Sequence, residues 1–542
     1  MSASTEKKLR QAAREAGTDK KTLALEKAAK EKARSKRRWT LGTIAVVVLI
    51  AAVLILSSPL MYKTTAYSVG GRRYNVGRTN FSYASQYRTY LSQNPYASMF
   101  LDTSNGSRGL DKQDCPLTEE GSWKDFFLDA ARTDMIQTAA LLDYSNANGI
   151  TLTEDDIAAV DANVEDMIRY TAASIYASST GMNPTDDQLS VLAASFGSAE
   201  EAARAVGFGS GDKLLAATYG SGVNKRVVRD ALMDSTLASK ALNAYGDTIS
   251  YSDEQLEQTY QSYEGSRDYF DYAYVYVPAE TVAPADGSAA AAPTDDTLAA
   301  AKKTAESIEA ACREAEGEDV YANLQQAAEA AGLSATRSTA AAGSGLSFAA
   351  DWLKDAARRS GDITVAEGTT GSYVVVFFGR NDNNYHRTSV RHILIKAEAA
   401  EDGTYSEEAK AAAKARAEEL LAEFQAGSRT EESFATMANL YSEDPGSNTN
   451  GGLYENIVKG RMVPEFDAFC FDAHQPGDTG IVYGESASYA GYHVIYYVGH
   501  NDLTYAQEIA RADLLNTDLS AWVDELTAPY TGKDGFGMFF VG

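Results

Sequence analysis

The 542 residues are enough for several domains, each with its own core. The formal net charge of −26 is unevenly placed: residues 1–39 hold thirteen Lys/Arg against five Asp/Glu, and the rest of the chain is strongly acidic. An acidic body excludes a nucleic-acid surface, which needs cations to neutralise phosphate, and three scattered cysteines (Cys115, Cys312, Cys470) exclude a disulfide framework or a zinc site.

The basic stretch 1–39 is Ala-rich and can form a loose helix but no packed core. From Trp39 to Tyr62 there is no charged residue, and Leu41 to Leu56 is almost wholly apolar, close to the ~20 residues that span a bilayer. Lys36-Arg37-Arg38 stands directly before this run, so the positive-inside rule places the N-terminus in the cytoplasm and the chain after Tyr62 outside. The long basic tail and the lack of a small-x-small cleavage site argue for an uncleaved signal anchor at 40–62.

Residues 66–74 read as a short strand turning at Val69-Gly70-Gly71, and Asn80 to Phe100 reads as a helix. Ser122-Trp123-Lys124-Asp125-Phe126-Phe127 opens a long amphipathic helix. Thr153-Glu154-Asp155-Asp156 is a helix start, with acidic residues at the positive end of the dipole. Helices continue to about Tyr245, broken by glycine turns that fit no phosphate-binding fingerprint, and Ser252-Asp253-Glu254 opens another. The expectation is a mostly helical domain over 63–265.

An internal repeat follows. Asp271-Tyr272-Ala273-Tyr274-Val275-Tyr276-Val277 is a strand similar to Val390-Arg391-His392-Ile393-Leu394-Ile395. Gly361-Asp362 parallels Gly477-Asp478. Gly371-Ser372-Tyr373-Val374-Val375-Val376 parallels Gly491-Tyr492-His493-Val494-Ile495-Tyr496, and Gly379-Arg380-Asn381-Asp382 echoes Gly499-His500-Asn501-Asp502. A low-complexity Ala/Pro/Asp insert lies at about 279–296 in the first copy. The two copies are expected at 268–383 and 386–501.

The second copy carries the informative motifs. After the strand with His392 come a helix rich in Ala, Glu and Lys, a second helix at Ser433–Ala438, and the turn Tyr441-Ser442-Glu443-Asp444-Pro445-Gly446-Ser447. Then follow Gly451-Gly452, Gly460-Arg461-Met462-Val463-Pro464-Glu465-Phe466-Asp467, the turn at Pro476-Gly477-Asp478, and the strand with His493. Strand residues alternate faces, so His392 shares a face with Val390 and Leu394, and His493 with Ile495 and Tyr497. If the strands are neighbours, the two imidazoles can meet and fix each other's tautomers.

Five motifs in this order resemble the parvulin family of peptidyl-prolyl cis/trans isomerases, and the whole chain looks like an extracytoplasmic foldase of the PrsA/SurA type. The resemblance implies an α+β multidomain chain: a single N-terminal transmembrane helix, a mostly helical chaperone-like domain, and two tandem parvulin-like domains. Each of these would be a four-stranded antiparallel sheet with helices, the first copy being degenerate. In that copy Tyr274 and Tyr373 occupy the histidine positions. The resemblance also implies that residues 502–542 form a helical tail packing back on the chaperone region. PrsA-like foldases are often lipid-anchored, but no cysteine follows the apolar run here.

The resemblance implies His392, Asp444 and His493 as catalytic, with Met462, Phe466 and Tyr454 as the substrate-binding residues. Asp444 falls on the position that is Cys or Asp in parvulins, where it either opposes charge on the substrate carbonyl or orients a histidine. Tyr454 falls on an apolar wall position. Ala490 supplies no hydroxyl where some parvulins have one, so a simpler hydrogen-bond network is expected. Met462 and Phe466 are four apart, on one face if that segment is helical. Rotation about an amide breaks no bond, so no cofactor or metal is expected. The expected function is peptidyl-prolyl isomerisation and chaperoning of secreted or envelope polypeptides outside the membrane. The alternative is a non-catalytic holdase in which both copies only grip unfolded chains.

Overall fold

In the computed structural model the described residues are 3–16, 20–56, 61–283, 292–315, 317, 319–486 and 488–542. The chain divides into two compact units, one made of 1–249 with 518–542 and the other of 250–517.

The first unit begins with α1 (Ala3–Glu15) and α2 (Lys20–Leu56). Among the described residues no helix is long and apolar enough to cross a membrane. The expected anchor at 40–62 falls partly on residues 57–60 and on side chains from Val48 to Met61, which lie outside the described residues. Next comes a hairpin, β1 (Thr65–Val69) and β2 (Arg72–Asn75), whose turn residues Gly70 and Gly71 have φ of 57° and 77°. Both angles are costly for any residue with a Cβ, which is why the sequence has glycine twice.

The helix expected from Asn80 is α3 (Val76–Gln93), started by Asn75, whose side chain accepts from the Arg78 N–H. Then follow α4 (Trp123–Ala147), α5 (Glu154–Thr180), α6 (Asp186–Ser195), α7 (Ala199–Ala205), α8 (Gly211–Tyr219) and α9 (Lys225–Gly246). Ser122 with Asp125 and Thr153 with Asp156 form reciprocal capping boxes, so the helix starts legible in the sequence are made by side-chain oxygens on otherwise unpaired backbone N–H groups. Trp123 is fully buried and stacks on Phe127 with ring centroids 5.6 Å apart, at the centre of a core with Tyr83, Tyr87 and Leu110.

The second unit starts with α10 (Asp253–Gln261), which the sequence grouped with the helical block. Its Tyr260 hydroxyl donates to the fully buried Asp268 carboxylate at 2.7 Å, and Arg380 pairs with the same group. Strand β3 (Tyr269–Pro278) is followed by the short pair β4 (Thr281–Val282) and β5 (Ala292–Pro293); most of the low-complexity insert between them lies outside the described residues. Then come α11 (Asp295–Glu314), α12 (Val320–Ala330), β6 (Ala335–Ala342), α13 (Ala350–Lys354), β7 (Ile363–Glu367) and β8 (Gly371–Asn381).

The second set is β9 (His386–Lys396), α14 (Glu407–Ala426), α15 (Glu431–Tyr441), β10 (Leu453–Ile457), α16 (Pro464–Phe471), β11 (Thr479–Ser486) and β12 (Tyr489–Thr504). Last come α17 (Tyr505–Thr527) and β13 (Lys533–Asp534). In the first unit Trp522 of α17 stacks on Tyr245 at 3.9 Å, and β13 pairs with β1.

The two four-stranded sheets have the same strand order, β6-β3-β8-β7 and β10-β9-β12-β11, and every pairing is antiparallel. The registers agree residue by residue. His392 pairs with Ile495, two past His493, and Tyr274 pairs with Val375, two past Tyr373. The Gly-Asp turns agree as well: Gly361 N donates to Phe377 O and Phe377 N to Asp362 O, while Gly477 N donates to Tyr497 O and Tyr497 N to Asp478 O. In the second sheet α14 and α15 cover the face carrying Ile393, Ile395, Val494 and Tyr496. α16 covers the other face, with Val390, Ile495 and Tyr497.

Candidate active site

Strand alternation sends His392 and His493 to the face that α16 covers, and both are buried. The centre of β9 has lost its edge partner. β10 pairs with it only from Thr388 to Arg391, and beyond that point the loop 442–452 takes over. His392 N donates to Gly452 O at 2.8 Å, Leu394 N donates to the Ser442 hydroxyl at 3.1 Å, and Glu443 N donates to Leu394 O at 2.9 Å. This zipper carries Asp444 to His392. It also requires Gly452, whose φ is 69° and where a Cβ would stand 2.2 Å from His392 O.

The polar groups then form one chain. His392 Nε2 is 3.0 Å from Asp444 Oδ2, His392 Nδ1 is 3.0 Å from His493 Nδ1, and His493 Nε2 is 3.0 Å from the Tyr489 hydroxyl. With both imidazoles neutral, one proton arrangement satisfies every contact. The carboxylate only accepts, so His392 Nε2 carries a proton. His392 Nδ1 then accepts from His493 Nδ1–H, and His493 Nε2 accepts from Tyr489. Every donor in the chain points toward Asp444.

The carboxylate is fully engaged. Its Oδ2 also accepts from the Ser447 hydroxyl at 2.5 Å and the Tyr454 hydroxyl at 3.1 Å, and its Oδ1 accepts from Gly446 N at 3.2 Å. The His392 hydrogen bond, then those of Ser447 and Gly446, hold Asp444 well below the usual carboxylate range against the opposing effect of burial. Burial, and then the charge His392 can carry, lowers His493 from 6.5 to about 3 and keeps it neutral. Burial, and then the Asp444 charge, pushes Tyr454 up to about 12, so it stays a donor.

Above this chain lies Phe466, buried, its ring edge-on to both imidazoles at centroid distances of 5.4 Å and 5.1 Å. Met462 packs on the same cluster but lies before α16, which starts at Pro464, so the two residues do not share a helix face. The geometry brings His392, Asp444, His493, Phe466 and Tyr454 together, with Met462 at the margin.

Two expectations are corrected. Tyr454 is not a plain apolar wall, because its hydroxyl is bound to Asp444. The network is not simplified at Ala490, because the preceding residue, Tyr489, supplies a hydroxyl. Sequence reasoning missed Tyr489 and Ser447. The signal for Tyr489 was its even spacing from His493 with Gly491 between them, which puts both on one strand face with no side chain in the way. Gly484, opposite Gly491, keeps the space open: a Cβ there would stand 2.7 Å from His493 Nε2. The signal for Ser447 was its place three residues after Asp444 in a tight turn.

The matching place in the first copy is aromatic. Tyr274 and Tyr373 stand 6.1 Å apart between ring centroids, and Phe348 stacks on Tyr373 at 4.0 Å and lies edge-on to Tyr274 at 4.9 Å. Phe348 thus covers the tyrosine pair as Phe466 covers the histidines. Among the described residues no group of three or more His, Cys, Asp or Glu side chains could hold a metal ion.

Residues 373–499 match the family described as the PPIC-type PPIASE domain. The chaperone SurA of Pseudomonas fluorescens Pf0-1 is 35% identical over 113 residues, 20% of this chain and 24% of that protein. SurA of Alkalilimnicola ehrlichii is 30% identical over 164 residues, 30% of this chain and 35% of that protein. The chain therefore spans about a quarter to a third of the length of these curated relatives. Among solved structures, the peptidylprolyl isomerase PrsA from Bacillus anthracis aligns with 20% identity and a TM-score of 0.17, over 27% of this chain and 59% of that one. A chain from a structural study of two SurA-like chaperones of Campylobacter jejuni aligns with 21% identity and a TM-score of 0.16, over 26% of this chain and 51% of that one. The chain thus carries a domain of the PPIC-type, or parvulin, peptidyl-prolyl isomerase family.

Proposed function

We propose that the chain is a peptidyl-prolyl cis/trans isomerase and chaperone for secreted or envelope polypeptides. It works outside the cytoplasm and is held at the membrane by segment 40–62. The observation that carries this reading is the continuous chain from Asp444 through His392 and His493 to Tyr489, lying under Phe466 on the face of the second sheet. The family match over 373–499 and the similarity to SurA chaperones support it. The charge-free run from Trp39 to Tyr62, preceded by Lys36-Arg37-Arg38, supports the anchor.

The uncatalysed barrier to amide rotation is about 20 kcal/mol. Rotation breaks no covalent bond, so catalysis consists of binding the twisted amide better than either planar form. Phe466 and Met462 offer the apolar contact for a pyrrolidine ring. The histidine pair, with His493 kept neutral by burial, offers a fixed polar surface for the rotating carbonyl. With three donors on Oδ2 and one on Oδ1, the Asp444 carboxylate is committed to the protein. The reading that this favours is a positioning role: Asp444 fixes the tautomer and ring orientation of His392. The first copy, with Tyr274 and Tyr373 in place of the histidines, is catalytically inactive in this reading.

The test is exchange NMR on X–Pro peptides with the full chain in detergent. Wild type should accelerate interconversion, and His392→Ala and His493→Ala should each abolish most of the acceleration. Acceleration that survives in both variants would remove the histidines from the mechanism. No acceleration by a folded wild type would remove the isomerase and leave a holdase, to be scored by suppression of client aggregation.

A further inference from the structure

The first unit exposes two large aromatic side chains side by side. Phe536 and Phe539 lie on the turn Phe536–Phe540, are 67% and 87% exposed, and have ring centroids 6.4 Å apart. The same turn buries its other side, with Met538 and Phe540 packed on the core around Trp123. It is pinned by β13, whose Ser68↔Lys533 and Tyr67↔Asp534 pairing leads straight into it. A buried half and a bare aromatic half on one rigid turn is a costly arrangement in water.

The turn touches the segment Met61–Lys63, and Tyr62 packs on the same core. Between Leu56, the end of the apolar run, and Met61 there are four residues. The chain therefore leaves that run and reaches this corner within about 18 Å. The exposed groups beside the aromatics suit a polar headgroup layer. Lys63 and Lys533 are exposed cations, and Arg132 pairs with both Asp534 at 2.7 Å and Asp129 at 2.6 Å, so cations outnumber carboxylates by one among these five groups. Two aromatics flanked by two lysines, next to the exit of an apolar segment, is the composition that sits at an anionic bilayer surface.

We infer that the Phe536–Phe539 turn is a second membrane contact. It inserts its rings into the interfacial layer of the anionic bilayer that holds segment 40–62, with Lys63 and Lys533 facing the headgroups. The inference rests on the anchor reading above. Its consequence is that the first unit lies against the membrane through one defined corner instead of swinging on a tether.

The three native cysteines are all buried, so a single exposed cysteine can be spin-labelled selectively. The full chain carrying Phe539→Cys would be labelled and reconstituted into vesicles of phosphatidylcholine and phosphatidylglycerol. A chain carrying Val191→Cys, at an exposed position on α6, serves as the reference. Retention on the vesicles through a carbonate wash reports the anchor separately. The expected result is retention, with the Phe539 label several-fold more accessible to oxygen and several-fold less accessible to a nickel chelate than the reference. Omitting phosphatidylglycerol should weaken the contrast. Retention with a Phe539 label as nickel-accessible as the reference would overturn the inference and leave the anchor standing. Loss of the chain in the wash would overturn both. Spin–spin broadening at Phe539 that scales with protein density, with no gain in oxygen accessibility, would assign the turn to a second copy and overturn the lipid contact.

Discussion

His392 and His493 face each other through their Nδ1 atoms at 3.0 Å, on adjacent antiparallel strands, with rings tilted by only 23°. Two imidazoles this close share one proton between Nδ1 atoms, so the tautomer of each is set by what binds its far nitrogen. Asp444 sets one end and Tyr489 the other. Each end can be tested separately.

Asp444→Ala removes the acceptor for the Ser447 and Tyr454 hydroxyls and one of the two partners of His392 Nε2, which keeps the Ser447 hydroxyl at 3.0 Å. The expected cost is about 2–3 kcal/mol, because the buried Ser447 and half-buried Tyr454 hydroxyls lose their acceptor. The reading would come from urea unfolding. Asp444→Asn should recover part of the stability and little of the isomerase rate, since an amide can turn a donor toward Nε2. Equal rates in Asp444→Asn and wild type would show that the carboxylate does not fix the tautomer.

Two groups of the site have a folded pKa below the unfolded one, so the unfolded chain takes up protons there first and acid favours unfolding. For Asp444 the contribution is present above its ordinary value of 3.8 and is lost as pH falls through the lower folded value. For His493 the penalty grows as pH falls from 6.5 and stops growing near 3. His493 contributes to the fall between 6.5 and about 4.5, at up to about 1.4 kcal/mol per pH unit. His493→Gln should flatten that part of the urea midpoint profile relative to wild type and leave the lower part. An unchanged slope would place the titration elsewhere.

Tyr489→Phe leaves His493 Nε2 without its donor but keeps the ring. It should cost about 1 kcal/mol and lower the isomerase rate less than His493→Ala does. The direct measurement is imidazole nitrogen NMR. In wild type the His493 Nε2 resonance should be that of a hydrogen-bonded acceptor, and in the variant it should move. A variant with unmoved resonances would mean that the hydroxyl does not hold the pair.

Gly452→Ala forces a Cβ to 2.2 Å from His392 O at a φ of 69°. The zipper between the loop and β9 would have to open. The expected destabilisation exceeds about 2 kcal/mol, and the isomerase rate should fall with it because Asp444 leaves His392. Unfolding and rate assays on one preparation would show the two losses together.

In the first copy, Tyr373→Ala removes the ring stacked on Phe348 and should destabilise the chain by about 2–3 kcal/mol. The same variant should isomerise X–Pro peptides at the wild-type rate. A reduced rate would give the first copy a part in catalysis.

The sequence by itself determined the strands and their faces, because alternation along β9 and β12 puts His392, His493, Val390 and Ile495 on one side whatever their neighbours are. It determined the helix starts at Ser122 and Thr153, since capping is a local matter of three residues. It also carried the repeat, because the Gly-Asp turns and the strands after them keep their spacing. What only the tertiary structure decided is which hydroxyls complete the site. Tyr489 reaches His493 because glycines at 484 and 491 leave its path clear, and Ser447 and Tyr454 reach Asp444 because the 442–452 loop replaces a strand edge. Those contacts depend on the pairing register and loop path of segments up to a hundred residues apart, and no local spacing rule encodes a distance across a sheet.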